Sequence, residues 1–146
     1  MRVRVGKTID ALPAGVWSVL EPIERHADWM ADAESIAFTS EQRRGVGTAF
    51  DCVTKIGPFT VTDHMVVTEW VPDRALGIEH HGLFTGSGRF TLRTLPLDRT
   101  RFTWTEEIRF PWWCGGPFGA FAAKPILRRV WAANLDRLAH LVASKS

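Results

Sequence analysis

The stretch RFTWTEEIRF, residues 101–110, alternates between apolar and polar side chains with a period of two. This alternation predicts a β-strand that packs one face against a core and exposes the other to solvent. The apolar face comprises Phe102, Trp104, Glu106, Ile108 and Phe110. Glu106 is the exception, because a buried carboxyl group needs either a hydrogen-bonding partner or a raised pKa. The strand therefore places an ionisable group where the core is expected.

Turn residues divide the preceding part of the chain into further segments with strand-like patterns. These segments span residues 34–40, 46–56, 59–71, 74–82 and 88–95. The connections between them are short, whereas parallel strands need crossovers of about a dozen residues or more. The sequence therefore predicts that these segments and the strand at 101–110 form an antiparallel meander.

Helical patterns flank the meander on both sides. Residues 2–9 predict a first strand, and short helices are predicted at 10–20 and 23–30. From residue 118 to 143, apolar side chains recur every three or four positions, which predicts one long helix. Pro125 should either kink this helix or mark where its regular part begins. The apolar face of the sheet must be buried, and the long helix is the large partner that the sequence offers.

Length and composition limit the classes of protein to consider. The 146 residues suffice for one domain with a core, and the 45% hydrophobic and 23% charged fractions are typical of globular proteins. A net charge of +2 with scattered basic residues does not favour nucleic-acid binding. The cysteines and histidines show no metal-ligand spacing, and no segment approaches the roughly eighteen apolar residues of a membrane span. We therefore expect a cytoplasmic protein without secretion signal, membrane span, metal or cofactor.

Four stretches of the chain carry a family resemblance. LPAGVWSVL at 12–20, IERHADW at 23–29, VVTEWVPDRALGIE at 66–79 and NLDRLAHLV at 134–142 resemble the START-like SRPBCC superfamily. The resemblance is closer to its polyketide cyclase/dehydrase-like branch, and it covers nearly the whole chain. It implies that residues 1–146 form a single ligand-binding domain.

The resemblance also implies an α+β helix-grip fold. In that fold a curved antiparallel seven-stranded sheet wraps around the long C-terminal helix, two short helices follow the first strand, and a cavity lies between sheet and helix. Members of the superfamily bind lipids, polyketides, plant hormones or other apolar molecules. Some are aromatases or cyclases, some are carriers and some are partners of chaperones. No catalytic motif of a characterised cyclase matches numbered positions here.

Counting by two in each strand predicts which polar groups face this cavity. His80 shares a face with Leu76 and Ile78 in the segment 74–82. Folding the hairpins about their turns places Glu106 opposite Phe90, and Phe90 opposite His80. The three side chains would form one row across the inner face. Because Phe90 would lie between His80 and Glu106, a bridging water or ligand hydroxyl is easier than a direct bond.

The inward face of the segment 59–71 is ambiguous. Pairing through the turn at 57–58 favours Asp63 and Met65 inward and leaves His64 and Trp70 outside. Both faces contain apolar residues, so a β-bulge could reverse the alternation midway. Asp63 is thus either a cavity residue or an exposed strand residue.

Two features of the C-terminal region have alternative interpretations. Asn134 lies on the apolar stripe of the long helix, where its amide either enters the cavity or holds the sheet to the helix. The segment FPWWCGGPFGAF at 110–121 contains Trp113, Phe118 and flexible glycines. It forms either a lid or entrance of the cavity or a simple packing surface for the start of the helix.

These observations lead to a set of candidate residues. Glu106 and His80 are the catalytic candidates, because a buried carboxyl group and an imidazole suit acid–base chemistry. The alternative for Glu106 is a position near the rim of the sheet, where its carboxylate reaches water or an arginine. The predicted ligand-binding residues are Phe50, Asp63, Met65, Phe90, Trp104, Asn134, Trp113 and Phe118. The seven Trp and nine Phe suit either a thick core or a cavity wall that stacks on a ring-bearing ligand.

Three functions are compatible with this sequence. The first is a cyclase/dehydrase-like enzyme in which Glu106 or His80 moves protons on a hydrophobic, ring-forming substrate. The second is a non-catalytic carrier of a lipid or other small molecule. The third is a protein-interaction module, similar to a co-chaperone, which would have a filled interior. The expected partner is a hydrophobic small molecule rather than nucleic acid, and monomer and homodimer both remain open.

Overall fold

The computed structural model describes residues 1–56, 58–112 and 115–145, without the side chain of Ile56. The strands are β1 (Arg2–Ile9), β2 (Ala33–Phe38), β3 (Ala49–Ile56), β4 (Phe59–Val71), β5 (Ala75–His81), β6 (Thr85–Leu95) and β7 (Arg99–Arg109). The helices are α1 (Pro13–Leu20), a 3₁₀ helix (Ile23–Asp28) and α2 (Gly116–Ser144). The second short helix is thus a tighter and shorter 3₁₀ turn than the sequence predicts.

The seven strands form one antiparallel sheet in the order β1-β7-β6-β5-β4-β3-β2. From β2 to β7, neighbours in sequence are neighbours in the sheet, so the predicted meander is confirmed. Strand β1 pairs with β7, with Val3 opposite Glu106 and Val5 opposite Trp104. The first two strands of the chain therefore lie at opposite edges, and α1 and the 3₁₀ helix connect them.

Helix α2 buries its C-terminal half against the sheet and α1. Leu135 and Leu138 are buried in one cluster with Val3, Leu20 and Phe102. Full burial of a leucine side chain stabilises the fold by about 1.5–3 kcal/mol, so these contacts anchor the helix on the sheet. The helix continues through Pro125 and begins before it, at Gly116.

A second cluster of buried side chains lies under the other half of the sheet. It contains Ile23, Ala33, Phe50, Cys52 and Val67. Met30, Trp70 and Ile78 are partly buried and pack against both clusters. The interior is therefore continuous beneath the sheet, although a cavity leaves it incompletely filled.

A β-bulge reverses the alternation of β4. Val67 pairs with Ile78, but Glu69 pairs with Gly77, so one extra residue is inserted in β4. Asp63 and Val67 are buried before the bulge, whereas Trp70 turns inward after it. Trp70 packs edge-on against Trp17, with ring centroids 5.2 Å apart. The prediction that Trp70 lies outside is therefore wrong, and the bulge that the apolar residues on both faces allowed is its cause.

In the part of the chain that the structure describes, helices long and apolar enough to span a bilayer are absent.

Candidate functional site

A cavity of about 380 Å³ lies between the inner face of the sheet and α2. Its size is within the range of small-molecule sites, and its walls are mainly aliphatic and aromatic. Five of the predicted ligand-binding residues line it: Phe50, Asp63, Met65, Phe90 and Trp104. The catalytic candidates His80 and Glu106 also line it, which places all the predicted ionisable groups in one cavity.

His80 bonds directly to two carboxylates. Its Nδ1 lies 2.7 Å from Oδ2 of Asp63, and its Nε2 lies 2.9 Å from Oε2 of Glu106. Trp104 completes the arrangement, because its Nε1–H donates to Oε1 of Glu106 at 3.0 Å. All three members of this Asp63–His80–Glu106 cluster are buried, with 9%, 8% and 6% of their respective surfaces exposed.

The register of β5, β6 and β7 explains why the bond between His80 and Glu106 is direct. His80 pairs with Gly86, and Glu106 pairs with Gly88. The predicted row through Phe90 is wrong, since Phe90 instead pairs with Leu76 on one side and Trp104 on the other. Both hairpin turns are tighter than predicted. Glycine residues therefore separate the two side chains, and no ring stands between them.

The two glycines of β6 make this approach possible. A Cβ atom at Gly88 would overlap the carboxylate of Glu106. Gly86 has a φ of +142°, and a Cβ atom there would overlap the backbone carbonyl of Glu107. A side chain at either position would thus displace β7 or its carboxylate. Residues 85–87 lie between two predicted strands, but in the structure they belong to β6. The glycines of this strand leave room for the side chains of His80 and Glu106 to meet.

The charge state of His80 follows from its two partners. Burial by itself lowers the pKa of His80, but the hydrogen bonds to Asp63 and Glu106, together with their charges, raise it to about 10. His80 is therefore an imidazolium at neutral pH and donates both of its N–H groups. The nitrogens have no lone pair left for accepting a proton, so the basic atoms of the cluster are the carboxylate oxygens.

Comparison with known proteins identifies the family. The sequence profile of the family described as "Polyketide cyclase / dehydrase and lipid transport" matches residues 1–143. The chain belongs to this family. The predicted family resemblance is therefore confirmed, and the family supports a fold that binds hydrophobic ligands. No curated protein matches the chain in sequence.

Solved structures confirm the helix-grip fold. A protein from Thermus thermophilus is similar with a TM-score of 0.79 and 19% identity, covering 100% of this chain and 99% of that one. Zhui aromatase/cyclase from a Streptomyces species has a TM-score of 0.76 and 19% identity, covering 98% and 93%. A START superfamily protein from Mycobacterium smegmatis has a TM-score of 0.69 and 14% identity, covering 99% and 95%.

In this protein, the predicted ligand-binding residue Asn134 does not line the cavity. Its Nδ2 donates to Oδ1 of Asp32 at 2.8 Å, and its Oδ1 accepts hydrogen bonds from the backbone of Ala31 and from Arg137. The amide is fully buried and engaged by these bonds. Asn134 therefore attaches α2 to the turn before β2, rather than presenting a polar group to a ligand.

Phe118 also does not reach the cavity, and Trp113 lies outside the described residues. Phe118 is 86% exposed. At about 100° per residue, Leu127 lies on the opposite side of α2, and it is Leu127 that faces the cavity, with Ala123, Ile126 and Val130. Ile126 and Lys55 are both exposed and both line the cavity, so it reaches the surface between β3 and α2. A lid formed by the segment 110–121 remains a prediction.

Several residues of the site were not predicted from the sequence. The most informative is His26, which is buried in the 3₁₀ helix and lines the cavity together with Ile23 and Met30. These three side chains are spaced by three and four residues, so a helical count could have found them on one face. Trp131 of α2 was also missed as a lining residue; its ring stacks on Trp104, with centroids 5.0 Å apart.

The lining residues do not include an evident metal site. Among the described residues, groups of three or more His, Cys, Asp or Glu side chains arranged to hold a metal ion are absent. Cys52 lines the cavity, and burial raises the pKa of its thiol to about 11. It therefore remains a neutral thiol at pH 7 and contributes to the wall as a small apolar residue.

Proposed function

We propose that this protein binds a hydrophobic, ring-bearing small molecule in the cavity, with the polar end of that molecule at the Asp63–His80–Glu106 cluster. The observation that carries the proposal is a largely apolar cavity with one buried, charged hydrogen-bond network on its wall. Phe90 and Trp104 meet edge to face at 5.2 Å beside that network. Such aromatic walls favour a flat ligand over a flexible chain.

Stability alone does not explain the cluster. Replacing a buried ionic network by well-packed apolar residues is often neutral or stabilising, because the charges must be removed from water. Ionisable groups with strongly shifted pKa values in a cavity are typical of functional sites. The cluster is therefore better explained by what it does to a ligand than by what it adds to the fold.

Polyketide cyclase/dehydrase-type chemistry is the catalytic form of this proposal. A carboxylate oxygen of Glu106 would take a proton from a carbon flanked by two carbonyl groups. The resulting enolate carbon would attack another carbonyl of the same chain and form a ring. The alkoxide produced would recover the proton, and a second proton transfer would release water. His80 would hold Glu106 and Asp63 in place through its two hydrogen bonds, acting as a positioning residue.

Carriage of a ligand without catalysis is the second candidate function. It is favoured by the hydrogen bonds that both ring nitrogens of His80 make to carboxylates. Both ring nitrogens are donors to carboxylates, so the cluster has no free imidazole nitrogen of the kind that general bases use. In this form the cluster only orients the ligand. A protein-interaction module would have a filled interior, and the cavity does not favour it.

The experiment begins with native mass spectrometry of the freshly purified protein, which should reveal a co-purified small molecule. N-phenyl-1-naphthylamine, a neutral ring-bearing fluorophore, serves as a probe and should bind at one saturable site. Absence of both a co-purified molecule and saturable probe binding would overturn the proposal.

Two substitutions separate catalysis from carriage. Glu106→Gln and His80→Ala should abolish turnover of the co-purified molecule or its precursor, with affinity retained, if the cluster is catalytic. Loss of affinity without any turnover to lose would favour carriage. Glu107→Gln and His81→Ala are matched controls, because both residues are adjacent in sequence and exposed on the outer face.

A further inference from the structure

His26 has one ring nitrogen engaged and one available. Its Nε2 lies 2.7 Å from the backbone carbonyl oxygen of Leu20. A carbonyl oxygen can only accept, so Nε2 carries the hydrogen and, in the neutral ring, Nδ1 is a bare acceptor. Burial lowers the pKa of His26 to about 4, against weaker opposing effects from the Leu20 carbonyl and Glu24. The ring is therefore neutral at pH 7.

The described residues offer Nδ1 of His26 no hydrogen-bonding partner. The other close contacts of the ring are aromatic: Trp29 at 5.4 Å and Phe90 at 6.1 Å between centroids. These rings hold the imidazole in place but satisfy no hydrogen bond. An acceptor that lines a cavity and lacks a protein partner is available to whatever occupies that cavity.

The indole and imidazole donors on the cavity wall are, by contrast, already used. Both N–H groups of His80 go to carboxylates, and Nε1 of Trp104 goes to Glu106. Nε1 of Trp131 goes to Asp32 at 3.4 Å. Lys55 lines the cavity only at its exposed end. The unpartnered Nε1 of Trp29 lies behind the cavity wall and does not line it, and the Thr54 hydroxyl and Cys52 thiol contact each other at 3.7 Å. The wall around the cluster and His26 therefore offers acceptors: the remaining lone pairs of the carboxylates and Nδ1 of His26.

We propose that Nδ1 of His26 is a second hydrogen-bond acceptor of the ligand site, and that the site takes an uncharged ring compound with hydroxyl groups directed to both His26 and the Asp63–His80–Glu106 cluster. This inference rests on the proposed function and names its ligand class. Phe90 and Trp104 separate the two acceptors, since His26 contacts Phe90 and Trp104 bonds to Glu106. A ligand that reaches both acceptors must therefore extend past these two rings, which suits a bicyclic or larger diol.

Two other ligand classes fit this wall poorly. A carboxylate would bring a third negative charge beside Asp63 and Glu106, which together outnumber the single positive charge of His80. An ether or ketone would place its oxygen, which can only accept, against Nδ1 of His26 and the carboxylates, and would leave both sites without a hydrogen-bond donor. The arrangement therefore selects hydrogen-bond donors.

The test compares three naphthalenes bound to the full chain at pH 7 by isothermal titration calorimetry. They are 2,6-dihydroxynaphthalene, 2,6-dimethoxynaphthalene and 2,6-naphthalenedicarboxylate. The diol should bind at least about tenfold more tightly than the dimethyl ether, and the dicarboxylate should bind most weakly.

Two variants locate the effect at His26. His26→Phe keeps a ring against Phe90 but removes Nδ1, and should weaken diol binding by about three- to tenfold while leaving ether binding unchanged. In His26→Gln the amide nitrogen can donate to Leu20 and the amide oxygen can accept from the ligand, so diol binding should be largely retained. Circular dichroism melts establish that both variants fold, and His140→Phe, at an exposed position on α2, is the control.

The outcomes distinguish the inference from the function on which it rests. If none of the three compounds binds while N-phenyl-1-naphthylamine does, the ligand class is overturned and the proposed function stands. If the fluorophore also fails to bind and no small molecule co-purifies, the proposed function fails, and the inference fails with it. If the ether or the dicarboxylate binds as tightly as the diol, the ligand class is overturned while the proposed function stands. If His26→Phe binds diol and ether with unchanged affinities, the role of His26 alone is overturned.

Discussion

Two histidines line the same cavity, and their charge states are opposite. His26 in the 3₁₀ helix is neutral because burial lowers its pKa to about 4. His80 on β5 is almost as deeply buried, yet its pKa is raised to about 10. The difference lies in the partners, since His26 faces one neutral carbonyl and His80 faces two carboxylates. Burial favours the neutral form of any histidine, and only opposite charges at hydrogen-bonding distance reverse that preference.

Of the substitutions that test this comparison, His80→Ala should change the free energy of unfolding most. His80→Ala leaves Asp63 and Glu106 buried without a positive charge, which should lower the free energy of unfolding by about 3–5 kcal/mol. Urea unfolding at pH 7 measures it. His81→Ala, at the exposed neighbour, should stay within about 0.5 kcal/mol. Adding Asp63→Asn and Glu106→Gln to His80→Ala should recover part of the lost stability, because no unpaired charge is then buried. A further large loss would contradict the electrostatic explanation.

The two histidines should also respond to pH in opposite directions. The folded pKa of His80 exceeds its unfolded value, so its stabilisation is complete below about pH 6.5 and is lost as the pH rises toward 10. The difference in unfolding free energy between the wild type and His80→Gln should therefore shrink by on the order of 3 kcal/mol between these limits. Denaturant unfolding at pH 6.5, 8 and 9.5 measures this. A difference that is constant over that range would mean that His80 is not held as an imidazolium.

Gly88 provides a way to weaken the cluster without touching its members. The Cβ atom of Gly88→Ala would overlap the carboxylate of Glu106, so the bond to His80 should lengthen or break, at a cost of about 2 kcal/mol. NMR titration should show a lower pKa for His80 and an unchanged pKa for His26. Gly15→Ala is the control, because its Cβ would approach only Ala11, at 3.8 Å, in an exposed helical turn. A pKa of His80 that stays near 10 in Gly88→Ala would contradict the steric argument.

Replacing His26 should have the smallest effect at neutral pH. His26→Phe loses one hydrogen bond to the carbonyl of Leu20 but keeps the aromatic packing, so unfolding should become easier by about 1 kcal/mol. The folded pKa of His26 lies below its unfolded value, so the wild type should lose stability relative to the variant as the pH falls from about 6.5 toward 4. Thermal melts at pH 7, 5.5 and 4.5 measure both effects. A larger wild-type advantage at pH 4.5 would show that His26 is charged when folded.

The sequence predicts the strands and the long helix well because both depend on local periodicity. The alternation at 101–110 extends over enough positions to place Glu106 inward, and β7 has its side chains arranged accordingly. The same count is ambiguous in β4, where the bulge inserts one residue and brings Trp70 inward. A bulge is decided by the fit of distant elements, here Trp17 of α1, and not by the strand itself.

The partners of the site residues are less predictable than their faces. The two-residue periodicity predicts that His80 and Glu106 point inward, but it does not predict which residues lie between them. That depends on the tightness of two hairpin turns. A register error of two residues opposite Glu106 and of four opposite His80 puts Phe90 where the structure has Gly88 and Gly86. Asn134 shows the same limit, since an inward helical position is equally compatible with a ligand and with the Asp32 carboxylate that it bonds.

The amino-acid order by itself determined the succession of strands and helices, the family and the inward direction of Glu106 and His80, because each is encoded in short-range spacing. Only the tertiary structure decided that Asp63 and Glu106 both bond to His80 and that His26 keeps a free nitrogen. Those facts depend on strand register and on contacts between residues that are far apart in the chain. The electrostatic character of the cavity arises at that level, because charge states in an interior are set by neighbours.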